Sequence, residues 1–324
     1  MISMLATASD PHCSRRVELR RHSAQFRYAR AHEHRARGRQ APAVTADLFV
    51  VVEQESTGQH RFTLLEPNGP EWLRRVAAIY RDLRTQTAAP LTDDLLDGLD
   101  FDVTHVRRRM RETQVPSRDN GSPRQLSVAR SDLAEVALAA AGEELRQYVY
   151  GYRSTRDREV VNLPGRGIDQ IGVMQGRVGG RDVVYLSLGE AKLSSENRVP
   201  PRVVDTGDEC LDQQHRKHFE DHAGTSAKIW EAGRKAHDRT TARLMMQAAH
   251  LWDIQKRESL VVRCTSMLVR PSRGTAADAG PFTSSPDDYA PGEVDFMMLR
   301  LDNDDVEEVI DAFIELAVSD EEVA

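Results

Sequence analysis

The sequence predicts an α/β protein: a mixed sheet flanked by helices, preceded by an N-terminal α+β extension. Three observations lead there. Runs rich in β-branched and aromatic residues, bounded by turn residues, alternate with longer segments whose apolar residues recur at helical spacing. The second half runs helix, short strand, hairpin, helices, strand, an order whose natural packing is a sheet with helices on its faces. The chain has 324 residues, 40% apolar and 29% charged, enough for a sizeable core.

Residues 1 to 45 read as irregular, a disordered or basic arm with nine arginines between positions 15 and 39. DLFVVVEQ (47–54) and HRFTLLEP (60–67) form two strands around STGQ. GPEWLRRVAAIYRDLRTQT (69–87) places Trp72, Val76, Ile79, Tyr80 and Leu83 at helical spacing, and LTDDLLDGLD (91–100) adds a short helical piece. TQVPSRDNGSPRQL (113–126) is turn-rich and polar, so it reads as a linker. The expected organisation is therefore an arm (1–45), an N-terminal α+β region with its linker (46–126), and a main domain (127–324).

In that domain SDLAEVALAAAGEELRQYVYGY (131–152) reads as a helix capped by Ser131 or Asp132. REVVNLP (158–164) is a short strand. GIDQIGVMQ (167–175) and RDVVYLSLGEAK (181–192) are strands around GRVGG, whose glycines accept positive φ. Segments 207–222 and 224–256 are helical, with Trp230 and Trp252 as core or interhelix residues. SLVVRCTSMLVR (259–270) and VDFMMLRL (294–301) are strands, and DDVEEVIDAFIELAV (304–318) closes as an amphipathic helix.

Composition excludes several classes. No run approaches the roughly 18 apolar residues of a membrane span. The N-terminus lacks an apolar segment beside a cleavage site, and three distant cysteines suit a reducing cytoplasm. No phosphate-binding Gly-rich loop or Ser nucleophile elbow is present. The net charge of −7 is uneven: the arm is basic, and the last 23 residues carry no basic side chain. Such a balance is compatible with a nucleic-acid surface.

The chemistry centres on Lys192. Of 44 basic residues 39 are arginine; the lysines are Lys192, Lys217, Lys228, Lys235 and Lys256. Only Lys192 has an acid two residues before it. Residues i and i+2 of a strand share a face, so Glu190 and Lys192 stand side by side. In an antiparallel hairpin the start of one strand lies beside the end of the other, which brings Asp169 to Glu190 within a residue or two of register. Glu135, one turn into the preceding helix, reaches the same place if that helix packs on the sheet. Asp169, Glu190, the Ala191 carbonyl and Glu135 make a hard-oxygen set suited to Mg²⁺, with Mn²⁺ as a substitute. A lysine beside the ion can orient a water as a compact ammonium, or deprotonate it as the free amine once burial lowers its pKa; an arginine cannot serve as a base.

This pattern resembles the PD-(D/E)XK nuclease superfamily: an acid on the first core helix (Glu135), an Asp on the second strand (Asp169), and E-x-K on the third (Glu190, Lys192). The proline of "LPGRGID" lies upstream without the strict Pro-Asp pair. Within the superfamily, "GIDQIGV…YLSLGEAK" is most similar to nuclease subunits of antiphage systems of the Hachiman type. The resemblance spans about residues 130 to 270. It implies a restriction-endonuclease-like sheet, Mg²⁺-dependent hydrolysis of DNA phosphodiesters, and a defence role in the cytoplasm. It also implies a helicase partner, an ATPase subunit encoded nearby, that restrains the activity. The implied roles are metal binding for Asp169, Glu190, Ala191 and Glu135, and water activation for Lys192. Gln213 and Gln214 fall where related nucleases place a polar residue facing the site. Arg153, Arg156, Arg158, Arg166, Arg198 and Arg202 flank it as candidate phosphate contacts.

Two other readings stand beside this one. The same fold serves as an inert nucleic-acid-binding or assembly subunit if the acids do no chemistry. Alternatively, His215, His218 and His222 share a helical face and bind zinc. A structural zinc site needs four ligands, and Cys210 points elsewhere on a continuous helix, so a solvated polar face is expected there.

Overall fold

The structure is a computed structural model, and it describes residues 47–85, 103–115, 126–158 and 167–319. Seven strands form one mixed sheet: β1 (Phe49–Thr57), β2 (His60–Pro67), β3 (Val149–Arg153), β4 (Gln170–Val178), β5 (Arg181–Leu193), β6 (Leu260–Arg270) and β7 (Glu293–Arg300). Their order across the sheet is β1-β2-β7-β6-β5-β4-β3. β3, β4 and β5 are an antiparallel meander, β5, β6, β7 and β2 run parallel, and β1 closes antiparallel on β2. The chain is thus an α/β protein with a mixed sheet flanked by helices.

The helices longer than one turn are α1 (Trp72–Thr85), α2 (Val103–Gln114), α3 (Leu126–Arg146), α4 (Leu211–Glu220), α5 (His222–Lys235), α6 (Arg239–Asp253) and α7 (Val306–Val318). One face of the sheet packs Leu65, Ala191, Met267, Val269, Met297 and Leu299 against α1, α3 and α7. On the other face Ile171, Val173, Leu186, Leu188 and Val262 meet Ile229 and Ala232 of α5 and Met245, Ala248 and Trp252 of α6. Farther along that face Phe62, Phe296, Met298 and Leu268 pack with Leu211, Phe282 and Tyr289. β5 and β6 are buried on both faces, which is why their sequences read as near-continuous apolar runs.

Several sequence expectations shift. The segment VYGYR does not continue the helix: α3 ends at Arg146, Gln147 takes a left-handed φ of 61°, and Val149–Arg153 pairs with β4 as the first strand of the meander. Its alternating tyrosines fit a sheet edge better than a helix interior. The helical stretch 224–256 is two helices, divided where Asp238 caps α6 by accepting from the Thr240 and Thr241 amides. Trp252 is fully buried, whereas Trp230 is 38% exposed and donates its indole N–H to Asp253. The hairpin β1–β2 continues the main sheet, because β2 pairs with β7; the sheet itself has no boundary at 126/127. The basic arm, the helical piece at 91–100, most of the 113–126 linker and nearly all of the 158–164 strand lie outside the described residues.

Buried ion pairs tie this frame together. Asp295 on β7 is fully buried and accepts from Arg146 of α3 and Arg61 of β2, with Arg263 of β6 at 3.8 Å. Burial alone would raise its carboxyl, but the guanidiniums of Arg146 and Arg61 outweigh that and hold it below the usual range. Asp132 of α3 is held by both Arg158 nitrogens and by Tyr80 of α1 at 2.7 Å, and burial pushes it up to about 6.

Candidate active site

The turn between β4 and β5 decides the site's register. Gly179 and Gly180 both adopt positive φ, 56° and 81°, and close a two-residue hairpin between Val178 and Arg181. From that turn the pairing counts back without a bulge to Gln170 opposite Gly189. Asp169, one residue earlier, therefore stands beside Glu190. Its backbone amide donates to the Gly189 carbonyl at 3.1 Å, and its own carbonyl accepts from the Ser154 amide at 2.7 Å. Its Oδ2 accepts from the Ala191 amide at 2.9 Å. The Ala191 amide and carbonyl share one side of β5, the side beyond the first residue of β4, so the carbonyl faces the same side as Asp169.

Asp169 and Glu190 lie on the face covered by α4 and α5, and both are buried, with Glu190 1% exposed. Lys192, two residues on, is half-buried on the same face. The structure thus brings Asp169, Glu190 and Lys192 together. Burial pushes the Asp169 carboxyl well above its ordinary range, and the neighbouring Glu190 and Glu135 add to the effect; Lys192 and the Ala191 amide oppose it. Glu190 is pushed up to about 8, by burial first, against the pull of Lys192. Two carboxyls this close in a dry site do not both ionise freely, so they titrate as a pair.

Glu135 stands differently. It comes from α3, on the opposite face, and is 1% exposed. Its Oε1 accepts from Ser131 at 2.8 Å, and its Oε2 accepts from Ser154 at 2.5 Å and from Thr155. Three hydroxyls hold the carboxylate, so it acts on the pair through its charge while its oxygens are engaged elsewhere. Ser154 and Thr155 belong to a one-turn helix, Ser154–Asp157, which Arg84 of α1 secures by donating to the Thr155 carbonyl at 2.7 Å. No sequence signal pointed to these hydroxyls.

On the helix after E-x-K, Gln213 is exposed and Gln214 half-buried; the residue that reaches the acids is His218. Its Nε2 lies 2.9 Å from Glu190 Oε1, yet the two atoms are not aligned as a hydrogen bond, and each is a buried polar atom without a donor or acceptor. Burial pushes His218 down to about 3, so the imidazole is neutral. The two α4 histidines are buried rather than solvated, because the helix lays them against the sheet, and half-buried His222 opens α5 beyond the break at Asp221. His215 is fully buried with Nε2 2.8 Å from Ser266 Oγ, and His222 stacks on Trp252 with ring centroids 4.9 Å apart. The three histidines have three separate partners and do not converge. The candidate phosphate contacts also divide. Arg156 and Arg158 are spent inside the fold on Asp157 and Asp132, and Arg153 pairs with Glu143. Arg198 pairs with Asp205, Arg202 is exposed, and Arg166 lies outside the described residues.

Among the described residues no group of three or more His, Cys, Asp or Glu side chains is arranged to hold a metal ion. A closed zinc centre needs four converging ligands, whereas Mg²⁺ keeps several waters and is commonly bound by one or two carboxylates plus substrate phosphate. The Asp169 and Glu190 carboxylates and the Ala191 carbonyl are hard oxygens, and Glu190 Oε1 is a buried acceptor with no donor. These residues fit such an ion. No helix among the described residues is long and apolar enough to cross a membrane. Compared with known proteins, the chain matches no family model, and no curated protein sequence matches it. Fold and site together define an α/β sheet protein with a buried acid pair and an adjoining lysine.

Proposed function

We propose that the chain is a divalent-metal-dependent nuclease that hydrolyses DNA phosphodiesters, with a PD-(D/E)XK site on a restriction-endonuclease-like core. The observation that carries this reading is the convergence of Asp169, Glu190 and Lys192 at one end of a buried strand pair. Unpaired charges are costly there, and a purely structural role would favour apolar residues. The element order supports it: a helix bearing Glu135, a three-strand meander with Asp169 immediately before the second strand and Glu190-x-Lys192 on the third, then helices and a parallel strand.

Asp169, Glu190 and the Ala191 carbonyl would hold the cation, which supplies a water of lowered pKa and neutralises charge developing on the phosphate. Lys192 orients the attacking water from the adjacent position and, in its neutral amine form, takes up the water's proton at Nζ. Glu135, fixed by Ser131, Ser154 and Thr155, keeps the local potential negative without giving up its own oxygens. Burial by α4 and α5 excludes bulk water, which strengthens each of these interactions. In this reading the nuclease is a bacterial antiphage effector, restrained by a helicase partner encoded nearby.

Lys192→Ala is expected to retain the fold and lose DNA cleavage by about 100-fold or more, the scale of a removed acid–base group. The check is supercoiled and linear DNA with Mg²⁺ or EDTA, for wild type and variant, with and without the neighbouring helicase. Metal-dependent cleavage lost in the variant supports the nuclease. A folded wild type that cleaves nothing under any of these conditions overturns it, and an inert nucleic-acid-binding or assembly subunit is then the better description.

A further inference from the structure

We propose that Lys228 is a second lysine of this site, holding a backbone phosphate of the nucleic acid beside the acid pair; the proposal rests on the nuclease reading. Lys228 projects from α5 over Gly167, two residues before Asp169. Gly167 has a φ of +87°, and a methyl group placed on it would lie 2.0 Å from the Lys228 Nζ. The ammonium therefore occupies the space that any side chain at 167 would fill. Its charge is felt by both Glu190 and His218.

Among the described residues Lys228 has no hydrogen-bonded or ion-paired partner. That separates it from Lys217, which donates to the Asp208 carbonyl at 2.7 Å, and from Lys235, which pairs with Glu231 at 2.9 Å. Two of only five lysines thus act on Glu190 from different elements, Lys192 from β5 and Lys228 from α5. A half-buried ammonium at the edge of the acid pair offers an incoming phosphodiester a counter-charge. Lysine suits the task as a compact point charge for phosphate oxygens. The arginines that the sequence offered for this role, Arg156 and Arg158, are committed to Asp157 and Asp132.

The test is binding of a fluorescein-labelled 30-base-pair duplex to the full chain in EDTA over a range of salt concentrations. Wild type, Lys228→Gln, Lys228→Arg and Lys256→Gln are compared, with thermal melts as a folding check. Loss of one phosphate contact weakens binding about tenfold and lowers the slope of log affinity against log salt by about one. Lys228→Gln is expected to show both changes. Lys228→Arg, which keeps the charge, and Lys256→Gln, at an exposed position, are expected to keep the wild-type slope. A Lys228→Gln protein that binds with unchanged affinity and slope overturns the assignment while the nuclease reading stands. A slope that falls equally in Lys228→Arg also overturns it, since charge is then not the cause. A wild type that binds no duplex removes both this proposal and the DNA reading beneath it.

Discussion

Glutamine in place of Glu190 is expected to abolish the proposed metal-dependent cleavage and to make the metal-free protein more stable at pH 8 than the wild type. The second effect follows from linkage. The folded-state carboxyl titrates near 8, against an ordinary value of 4.5. Below 4.5 it is protonated in both folded and unfolded chains, and its contribution to stability is fully present. As pH rises from 4.5 through about 8 the unfolded chain releases the proton first, and that contribution is lost. Asp169, raised in the same sense, steepens the loss. Glutamine carries no titrating proton, and its amide is able to donate to Asp169. Thermal unfolding in EDTA should show the two proteins drawing together toward pH 4.5. At pH 8 the variant should lead by about 2–4 kcal/mol, or roughly 4–10 °C. Mg²⁺ at a hundred times its dissociation constant should recover about 2.7 kcal/mol for the wild type and little for the variant. A gap that does not change with pH would show that this carboxyl is not held protonated by its surroundings.

The second large effect lies at Asp295, toward the start of β7. Asparagine there should cost about 3–5 kcal/mol at pH 7, because Arg146 and Arg61 would lose their buried counter-ion at once, while Arg263 keeps Glu293. The register explains the scale. Arg61 is the direct partner of Asp295 across the parallel β2–β7 pair, and Arg263 pairs likewise with Glu293 across β6–β7. The cluster therefore holds the N-terminal hairpin, β7, β6 and the end of α3 in one alignment. The Asp295 carboxyl is depressed, so its contribution is present above the ordinary 3.8 and disappears as pH falls through the folded value below it. Urea titrations should give a wide gap between wild type and Asp295→Asn at pH 7 and a narrower one near pH 3. Asp205→Asn, which breaks the exposed pair with Arg198, serves as the control and should cost less than about 1 kcal/mol. A cost at Asp295 no larger than at Asp205 would remove the buried network from any structural role.

Much of the candidate site was legible because its determinants are local. Alternation with a period of two put Glu190 and Lys192 on one face, and two adjacent glycines at the hairpin turn set a register that brings Asp169 alongside. Glu135 was legible as a neighbour; its engagement by Ser131, Ser154 and Thr155 was not, since that depends on where a one-turn helix lands 19 residues later. His218 was visible only as one of three histidines on a helix face. The helix pattern does not say which face turns toward the sheet, and the inward turn converted an expected polar surface into a buried neighbour of Glu190. VYGYR was misread because alanine and leucine carry helical propensity up to the residue where Gln147 breaks the helix.

The sequence by itself determined the strands of the sheet's centre, the hairpin and the acid–lysine pairing, all properties of spacing within a few residues. The tertiary structure alone decided that the N-terminal hairpin extends the same sheet through β7. It decided that Arg156 and Arg158 serve the fold, and that Lys228 comes over Gly167, two residues before Asp169. Each of these depends on which helix covers which face and which parallel strand finds which neighbour. Such contacts join residues tens to hundreds of positions apart, and no local periodicity encodes them.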